Sequence, residues 1–280
     1  MQDPGILIVI VVYNTSFESS KTFLSMSESV IKLGQKIDLV VYDNNPSGKA
    51  TSDDDYDFWN IIYIPDKNNN GVSRAYNVAA GIAKKMSKNW LLLLDEDTEF
   101  PADAISSYFA AIADHPNEKL FTPIMLTQAG DIISPCKFKF MRGYYADRID
   151  PGLNSLKGKS VINCGTCVHL DTFNQLNGYN ELIKLDFSDH DFIRRFKEGI
   201  TSDFVVIDLQ VQHGLSTTEK RTFDSDAIRF AYYLEGCRHF SKSLGDTFFL
   251  KLNAALRGLK LTVNHGKLYF LGRVINYLFS

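Results

Sequence analysis

The sequence lacks a long hydrophobic run and an excess of basic charge, and each absence excludes a class of protein. The formal net charge is −3 over 280 residues, so no general positive field would draw the chain to nucleic acid. Because no stretch of about 18 consecutive apolar residues occurs, we expect no transmembrane helix. The N-terminal apolar run has neither a basic leader nor a small-residue cleavage site, which favours a first strand over a signal peptide.

Glycine-rich phosphate loops and paired metal-binding cysteines are missing as well. No G-x-G-x-x-G follows the first apolar run and no G-x-x-x-x-G-K-S/T occurs, which argues against a Rossmann dinucleotide site and a P-loop ATPase. The four cysteines do not have zinc-finger spacing. The single C-x-x-C, Cys164 to Cys167, is not followed by a thioredoxin-like helix start, so we expect reduced cysteines and a cytoplasmic protein.

The most informative stretch that is present is Trp90 to Pro101, WLLLLDEDTEFP. Four leucines without polar alternation predict a fully buried parallel strand. Three carboxylates follow at its carboxyl end, where open α/β sheets bind ligands. In an extended chain Asp95 and Asp97 point to one side and Glu96 to the other. Two carboxylates on one side suit Mg²⁺ or Mn²⁺ and a diphosphate partner; the alternative is a solvated acidic turn before a helix.

Apolar periodicity predicts an alternation of strands and helices in the first half of the chain, and therefore an α/β fold with a mostly parallel sheet flanked by helices. The predicted strands are Ile6–Tyr13, Ile37–Tyr42, Ile61–Ile64, Trp90–Leu94 and Leu120–Leu126. The predicted helices between them are Ser19–Leu33, Val72–Met86 and Ala102–Ala113. All strand ends with polar residues lie at one edge of the sheet, which predicts a pocket there.

The pattern weakens after residue 126, where short strands and loops are predicted as far as Lys159. A strand interrupted by Gly165 is predicted over Ser160–Leu170, followed by a short helix capped by Asp171. A second acidic segment, LDFSDHDFIRRFKEG over residues 185–199, contains Asp189 and Asp191 at the start of a helix. Carboxylates in a first helical turn are favoured by the macrodipole, so simple helix capping is the alternative to a functional role.

The segments VVYN, VYDNN, NNGVSRAYN, LLLLDEDTEFP, CGTCVHLDTFNQLNGYNE and SDHDFIRRF, in this order, resemble the inverting family 2 glycosyltransferases, and most closely their bacterial rhamnosyltransferase-like branch. The resemblance extends over residues 6–213. It implies a GT-A domain over 1–215, with a nucleotide-sugar half (1–126) and an acceptor half (127–215). A basic, mostly helical extension over 216–280 follows it.

The resemblance also implies an activity and a set of donor contacts. It implies a metal-dependent, inverting hexosyltransferase that moves a sugar from a UDP- or dTDP-sugar to a glycan or lipid-linked glycan in surface polysaccharide synthesis. Asp43 would accept the imide N–H of uracil or thymine, and Arg74 would pair with a phosphate or carboxylate. The donor-binding residues that it implies are Tyr13, Asn14, Asp43, Asn70, Gly71, Arg74, Asp95 and Glu96.

The metal and the catalytic base follow from the same resemblance. Asp95 and Asp97 match the D-x-D of the family, and His213 matches a position where members place a histidine near the metal or diphosphate; the ion would be Mn²⁺ or Mg²⁺. Asp189 matches the base that takes the proton of the acceptor hydroxyl, with Asp191 as the second candidate. The residue before Asp189 is Ser188, where the family usually has Glu.

The last part of the chain is basic and amphipathic. From Arg238 onwards seven Lys and Arg residues stand against the single acid Asp246, and aromatic and aliphatic residues lie between them. We expect helices here. One hypothesis is peripheral docking on the inner face of the cell membrane, where a lipid-linked acceptor would lie. The alternative is packing on the catalytic domain or on another subunit, which leaves the oligomeric state open.

Two other functions fit an α/β sheet with acids at its edge. A sugar-nucleotide pyrophosphorylase would carry a glycine-rich loop and a lysine near the first strand, where this sequence has Tyr13 to Ser16. A non-catalytic nucleotide-sugar-binding module would bind nucleotide without turnover. The intact acidic triplet and Asp189 favour the enzyme over this module.

Overall fold

The computed structural model describes residues 2–13, 15–46, 56–214 and 222–279, and strands alternate with helices in its first part. That part contains β1 (Ile6–Val12), α1 (Lys21–Leu33), β2 (Ile37–Asp43), β3 (Trp59–Pro65), α2 (Val72–Lys85), β4 (Trp90–Asp95), β5 (Thr98–Glu99), α3 (Ala104–Asp114) and β6 (Leu120–Leu126).

Short strands dominate the middle of the chain, and helices form its end. The middle part contains β7 (Ile132–Lys139), β8 (Arg142–Ala146), β9 (Gly152–Ser155), β10 (Lys159–Ser160), β11 (Thr166–His169), α4 (Leu170–Gln175), α5 (Ser188–Gly199) and β12 (Asp203–His213). The last part contains α6 (Phe223–Phe240), α7 (Leu244–His265) and α8 (Tyr269–Phe279).

A parallel core with the strand order β3-β2-β1-β4 organises the sheet. β1 is buried along its whole length between β2 and β4, as its β-branched sequence predicts. Val12 is in register with Asp43, and Val11 with Asp95. The carboxyl ends of β1, β2 and β4 therefore meet at one edge, which confirms the predicted mostly parallel sheet and gathers the polar strand ends.

In the second half of the sheet, the strand predicted over Ser160–Leu170 with an interruption at Gly165 is divided into β10 and β11. Only β11 joins the centre, where it runs antiparallel to both β4 and β6. The reason is local: Gly165 has φ +80°, and a Cβ there would lie 2.7 Å from Cγ of Pro123. The chain therefore turns sharply before it enters the sheet, and β12 completes this half by running parallel to β6.

The helix α4 corrects a second expectation. Asp171 is not its cap: the helix begins after His169, whose side chain caps none of the described N–H groups, and Asp171 lies in the first turn. A carboxylate there is still favoured by the helix dipole. In α1, by contrast, Ser20 Oγ accepts the N–H of Phe23, which is a regular N-cap.

The C-terminal helices α6, α7 and α8 share a hydrophobic cluster that also includes Ile183 and Phe187 from the loop before α5. Arg257 of α7 forms an ion pair with Asp186 of the same loop, at 3.2 Å. The predicted helices are therefore present, and one face of them packs on the preceding part of the chain. The division at residue 215 stays a prediction, because residues 215–221 lie outside the described ranges. Among the described helices, none combines the length and apolar character needed to cross a bilayer.

Candidate active site

A cavity of about 1250 Å³ lies at the carboxyl ends of the parallel strands, and it is walled on its far side by α6 and α7. Ligands of open α/β sheets bind at this edge. The polar residues that line it from the sheet, its loops and α5 include Asp95, Arg142, Asn163, Ser188, Asp189, His190 and His213. Those contributed by α6 and α7 include Arg229, Asn253, Arg257, Lys260 and Asn264. The cavity therefore joins an acidic wall to a basic one.

Asp95 ends β4 and lies deepest in the acidic wall. Its Oδ1 accepts the hydroxyl of Tyr76, at 2.8 Å, and its N–H donates to Sγ of Cys164, at 3.3 Å. Burial raises the pKa of Asp95 to about 6, and the charge of Asp97 adds to the rise. A carboxylate in this setting carries negative charge that water stabilises poorly, so it favours a cation beside it.

Glu96 turns away from its two acidic neighbours, although the strand ends at Asp95 and the chain is no longer extended. Its Oε2 accepts the N–H of Tyr13 at the end of β1, at 2.6 Å. Burial raises the pKa of Glu96 to about 7, against the lowering effect of this hydrogen bond. Glu96 and Tyr13 therefore tie the ends of β1 and β4 together, and the Tyr13 side chain is itself 44% exposed.

Asp97 lies against His213, the two outer members of the predicted metal site. The pairing of β12 with β5 places His213 opposite Thr98, whose Oγ1 is 2.8 Å from Nδ1 of the imidazole. The same Nδ1 is 3.2 Å from Oδ1 of Asp97. Burial raises the pKa of Asp97, and His213 opposes the rise. The fold thus brings the nitrogen donor His213 to the acidic triplet, more than a hundred positions away in sequence.

The donor set of this group fits a divalent cation that shares its ligands with a diphosphate. Asp95 and Asp97 supply hard oxygens and His213 a nitrogen, which suits Mn²⁺ or Mg²⁺. Within the ranges that the structure describes, no group of three or more His, Cys, Asp or Glu side chains is arranged to hold a metal ion by itself. Oxygen atoms of the substrate would therefore have to complete the coordination.

Asp189 lines the cavity from the first turn of α5. Its Oδ1 accepts the N–H of His190, at 2.6 Å, and its side chain keeps 20% of its surface exposed. Ser188, the departure from the family pattern, accepts a hydrogen bond from Asn163 Nδ2 at 3.2 Å. The carboxylate is therefore held in place and is still accessible to a substrate.

Asp191 is directed elsewhere, which corrects its assignment as the second candidate base. Its carboxylate is buried and bonds Nε of Arg195, at 2.8 Å. The same arginine donates to the carbonyl oxygens of Leu176 and Gly178, at 2.7 and 2.8 Å. Asp191 does not belong to the described cavity lining. It therefore fixes α5 to the turn after α4 and leaves the cavity to Asp189.

The predicted donor residue Asp43 is buried at the end of β2. Its carboxylate accepts the hydroxyl of Tyr63 and, at 2.8 Å, the N–H of Asn45. A neighbouring acid, Asp66, accepts the hydroxyl of Tyr42 at 2.9 Å. Two carboxylates fixed by tyrosines thus lie beside the strand ends, where Asp43 stays a predicted acceptor for a base. Asn14 lies outside the described residues.

The remaining predicted donor residues lie along the start of α2. Asn70 donates from its backbone to Asp66, at 2.9 Å. Gly71 has φ +89°, and a Cβ there would lie 2.4 Å from the carbonyl oxygen of Lys184, so only glycine fits. Arg74 pairs with Glu181 at 3.2 Å, and both side chains are well exposed. Gly71 and Arg74 connect the start of α2 to the segment before α5, whereas Asn70 bonds within the loop that precedes α2. None of the three belongs to the described cavity lining.

Sequence patterns did not indicate several of the cavity residues. Asn163 lies just before a segment that carries the resemblance, and its partner Tyr179 is 16 residues further along the chain. Tyr76 lies in such a segment and stands behind the lining, as the partner of Asp95. His190, whose Nδ1 is 2.8 Å from Oγ of Ser160, lies next to a predicted base and could have been found by its position. The sequence predicted a basic helical extension over 216–280 but gave no sign that it lines the cavity, as Arg229, Arg257 and Lys260 do.

The comparisons with known proteins agree with this geometry. Residues 7–133, somewhat less than half of the chain, match the model of Glycosyl transferase family 2. S. aureus TarS 1–349 in complex with UDP-GlcNAc is similar over 98% of this chain and 79% of its own, with a TM-score of 0.57 and 14% identity. GalNAc-T7 with UDP, GalNAc and Mn²⁺ is similar over 75% and 43%, with a TM-score of 0.52 and 12% identity.

Similarity at these identities shows the fold, which is the predicted GT-A fold. No curated protein sequence is significantly similar to this chain. The similarity of fold extends well beyond the residues that match the family model.

Proposed function

We propose that the chain is a metal-dependent, inverting glycosyltransferase of the rhamnosyltransferase-like kind, which moves a sugar from a UDP- or dTDP-sugar to a hydroxyl of a glycan or lipid-linked glycan in surface polysaccharide synthesis. One observation carries the proposal. Asp95, His213 and Asp189 line the same cavity, and Asp97 contacts His213. This arrangement supports a role for Asp95, Asp97 and His213 at the diphosphate and for Asp189 as the base, because one cavity joins them.

The chain's residues divide the reaction between them. Asp189 accepts the proton of the acceptor hydroxyl as the hydroxyl attacks the anomeric carbon. A single displacement inverts the configuration and needs no protein nucleophile. Asp95, Asp97 and His213 would hold the divalent cation, which supplies charge stabilisation to the departing diphosphate. The hydrogen bond from His190 N–H keeps the Asp189 carboxylate oriented, so that less reorganisation is needed when the proton moves.

UDP is the nucleotide present in the structures of the similar proteins. TarS was solved with UDP and with UDP-GlcNAc, and GalNAc-T7 with UDP. Asp43 at the end of β2 is suited to accept an imide N–H, which uracil and thymine share. Tyr63 and Asn45 hold its carboxylate in place at the strand end.

The wall formed by α6 and α7 favours an acceptor with negative charge. The cations Arg229, Arg257 and Lys260 line this wall and outnumber its acid, Asp226, which pairs with His265. Arg257 also pairs with Asp186, and Asn253 and Asn264 complete the wall. Amide side chains suit sugar hydroxyls, and the cations suit a phosphate or carboxylate on the acceptor. A lipid-linked phosphate acceptor meets both conditions.

Nucleotide binding tests the proposal directly. We expect calorimetric titration with UDP, dTDP, GDP and CDP to show binding of UDP or dTDP in Mn²⁺ and its loss in EDTA, because the metal site depends on the diphosphate to complete it. Release of free UDP from UDP-sugars in the presence of acceptor glycans then tests transfer. Binding of no nucleotide under either condition would contradict the proposal, and binding without turnover would indicate the non-catalytic module.

The pH dependence of binding follows from the raised pKa of Asp95. The pKa of Asp95 is about 6 in the folded protein against 3.8 ordinarily. The protonated carboxyl therefore stabilises the metal-free protein, and this stabilisation is lost as the pH rises through about 6. A metal requires the ionised form, so we expect the affinity for UDP with Mn²⁺ to fall about tenfold per pH unit below 6. Calorimetry between about pH 5 and 8 measures this change, and a flat profile would contradict it.

A further inference from the structure

Helix α7 has two apolar faces, and only one of them is covered. Leu250, Ala254 and Gly258 are buried against α6, α8 and the loop before α5. The opposite face is exposed in the part of the chain that the structure describes, and its residues recur every three or four positions: Leu244, Phe248, Leu252, Leu256, Leu259 and Val263. With 22 residues, the helix presents an apolar stripe about 33 Å long. We call this stripe the outer face of α7.

Exposed apolar residues of this extent indicate a binding surface. Phe248 is 64% exposed and Val263 is 74% exposed, and α8 adds Ile275 and Phe279 at 55% and 88%. Beyond Asp246, which pairs with Arg194 at 3.1 Å, the charge along the sequence has one sign. After Asp246 the sequence contains no Asp or Glu, and the basic side chains Lys260, Lys267 and Arg273 are exposed.

We propose that the outer face of α7, with the end of α8, docks on an anionic lipid surface. Apolar side chains flanked by Lys and Arg without acids are complementary to acyl chains beneath negatively charged headgroups. A second copy of the chain fits less well, because each copy would bring the same excess of Lys and Arg to a two-fold interface. Since its inner face is packed in the protein, α7 can only lie flat on the surface.

The outer face of α7 lies beside the cavity, and docking would therefore bring the cavity to the membrane. The link between docking and sugar transfer rests on the proposed function. Leu256 and Lys260 are exposed on α7 and also line the cavity. The cavity therefore borders the surface that would meet lipid. An acceptor attached to a lipid could reach Asp189 without leaving the membrane, and Lys260 would meet its phosphate at the border.

Co-sedimentation with vesicles tests the docking. The probes are vesicles of phosphatidylglycerol with phosphatidylcholine, and vesicles of phosphatidylcholine alone. The variant Leu252→Glu/Leu259→Glu places two acids on the outer face, at side chains that are 46% and 51% exposed. The matched control Leu24→Glu/Ile31→Glu makes the same change on α1, at 54% and 57% exposure.

We expect the full chain to bind the anionic vesicles at low salt and more weakly in phosphatidylcholine alone or at high salt. The α7 variant should lose at least about tenfold in partition coefficient, and the α1 control should match the unchanged chain. Circular dichroism on heating confirms that both variants are folded. Equal binding of the α7 variant and the α1 control, or no binding of the unchanged chain, would overturn the proposal.

Light scattering separates the lipid from a second copy. A dimer that becomes a monomer in the α7 variant, without vesicle binding in either, would assign the outer face to self-association and overturn the proposal. UDP binding with Mn²⁺ should be the same in the α7 variant and the unchanged chain, because Leu252 and Leu259 are not in the described cavity lining. Asp189→Asn should still bind vesicles, so a failure of docking and a failure of catalysis are distinguishable.

Discussion

Asp189→Asn is expected to lower the rate of sugar transfer by about two to four orders of magnitude, the range that a general base contributes. Asparagine cannot accept the proton of the acceptor hydroxyl. It keeps a side-chain oxygen for the N–H of His190, which now bonds Oδ1 at 2.6 Å, so the local structure should persist. UDP affinity in Mn²⁺ should stay within about twofold, because the carboxylates and imidazole of the metal group are unchanged. Transfer assays beside calorimetry measure both quantities.

Asp191→Asn is the matched comparison two residues along the same helix. Its carboxylate is buried and paired with Arg195, and breaking a buried pair costs about 3 kcal/mol. We expect a lower melting temperature with transfer retained by the folded protein. If Asp191→Asn removed transfer without loss of stability, or if Asp189→Asn lost UDP binding and transfer equally, the assignment of the base would be wrong.

The strands of the nucleotide half were predictable because their sequences contain the whole signal. β1, β2 and β4 are continuous apolar runs that end in polar residues, and burial on both faces permits no other arrangement. Since parallel strands place their carboxyl ends together, the proximity of Tyr13, Asp43 and Asp95 followed directly. The directions of the three acids rest on more than strand alternation, because the chain turns at Glu96, which bonds Tyr13 while Asp97 meets His213.

The parts that could not be predicted depend on contacts between distant segments. The insertion of β11 between β4 and β6 depends on pairing that no local pattern encodes, and its short length follows from the turn at Gly165. Asp189 and Asp191 are both aspartates in the first turn of α5, so the sequence alone kept both as candidates for the base. Arg195 decides between them, because it also bonds the carbonyl groups of the turn after α4.

The packing of the C-terminal helices could not be predicted from the sequence either. Their apolar and basic composition predicted helices with two interpretations, packing on the protein or docking on a membrane. The structure assigns packing to one face of α7, through Leu250, Ala254 and Gly258. Composition could not divide the faces, because the apolar residues recur all round the helix and only the neighbouring segments determine which of them are covered.

Asp97→Ala is expected to lower the affinity for UDP in Mn²⁺ by at least about tenfold and to abolish the difference between Mn²⁺ and EDTA. The side chain of Asp97 faces His213 and is 34% exposed, so it is free to accept a metal. Its structural contribution is separate: the carbonyl oxygen of Asp97 accepts the N–H of Gly214, at 2.9 Å. Because alanine keeps this backbone bond, the junction of β5 and β12 should hold. Calorimetry with each cation measures the loss.

Glu96→Gln distinguishes a metal ligand from a general loss of negative charge. Glu96 is adjacent in sequence and also carries a raised pKa, but its carboxylate bonds the N–H of Tyr13 rather than His213. A glutamine oxygen accepts the same hydrogen bond, so Mn²⁺-dependent binding should be retained. If Glu96→Gln and Asp97→Ala weakened UDP binding equally, the triplet would act through its summed charge. If only Asp97→Ala did so, the cation would be held on the side of His213, opposite the strand end that Glu96 ties to Tyr13.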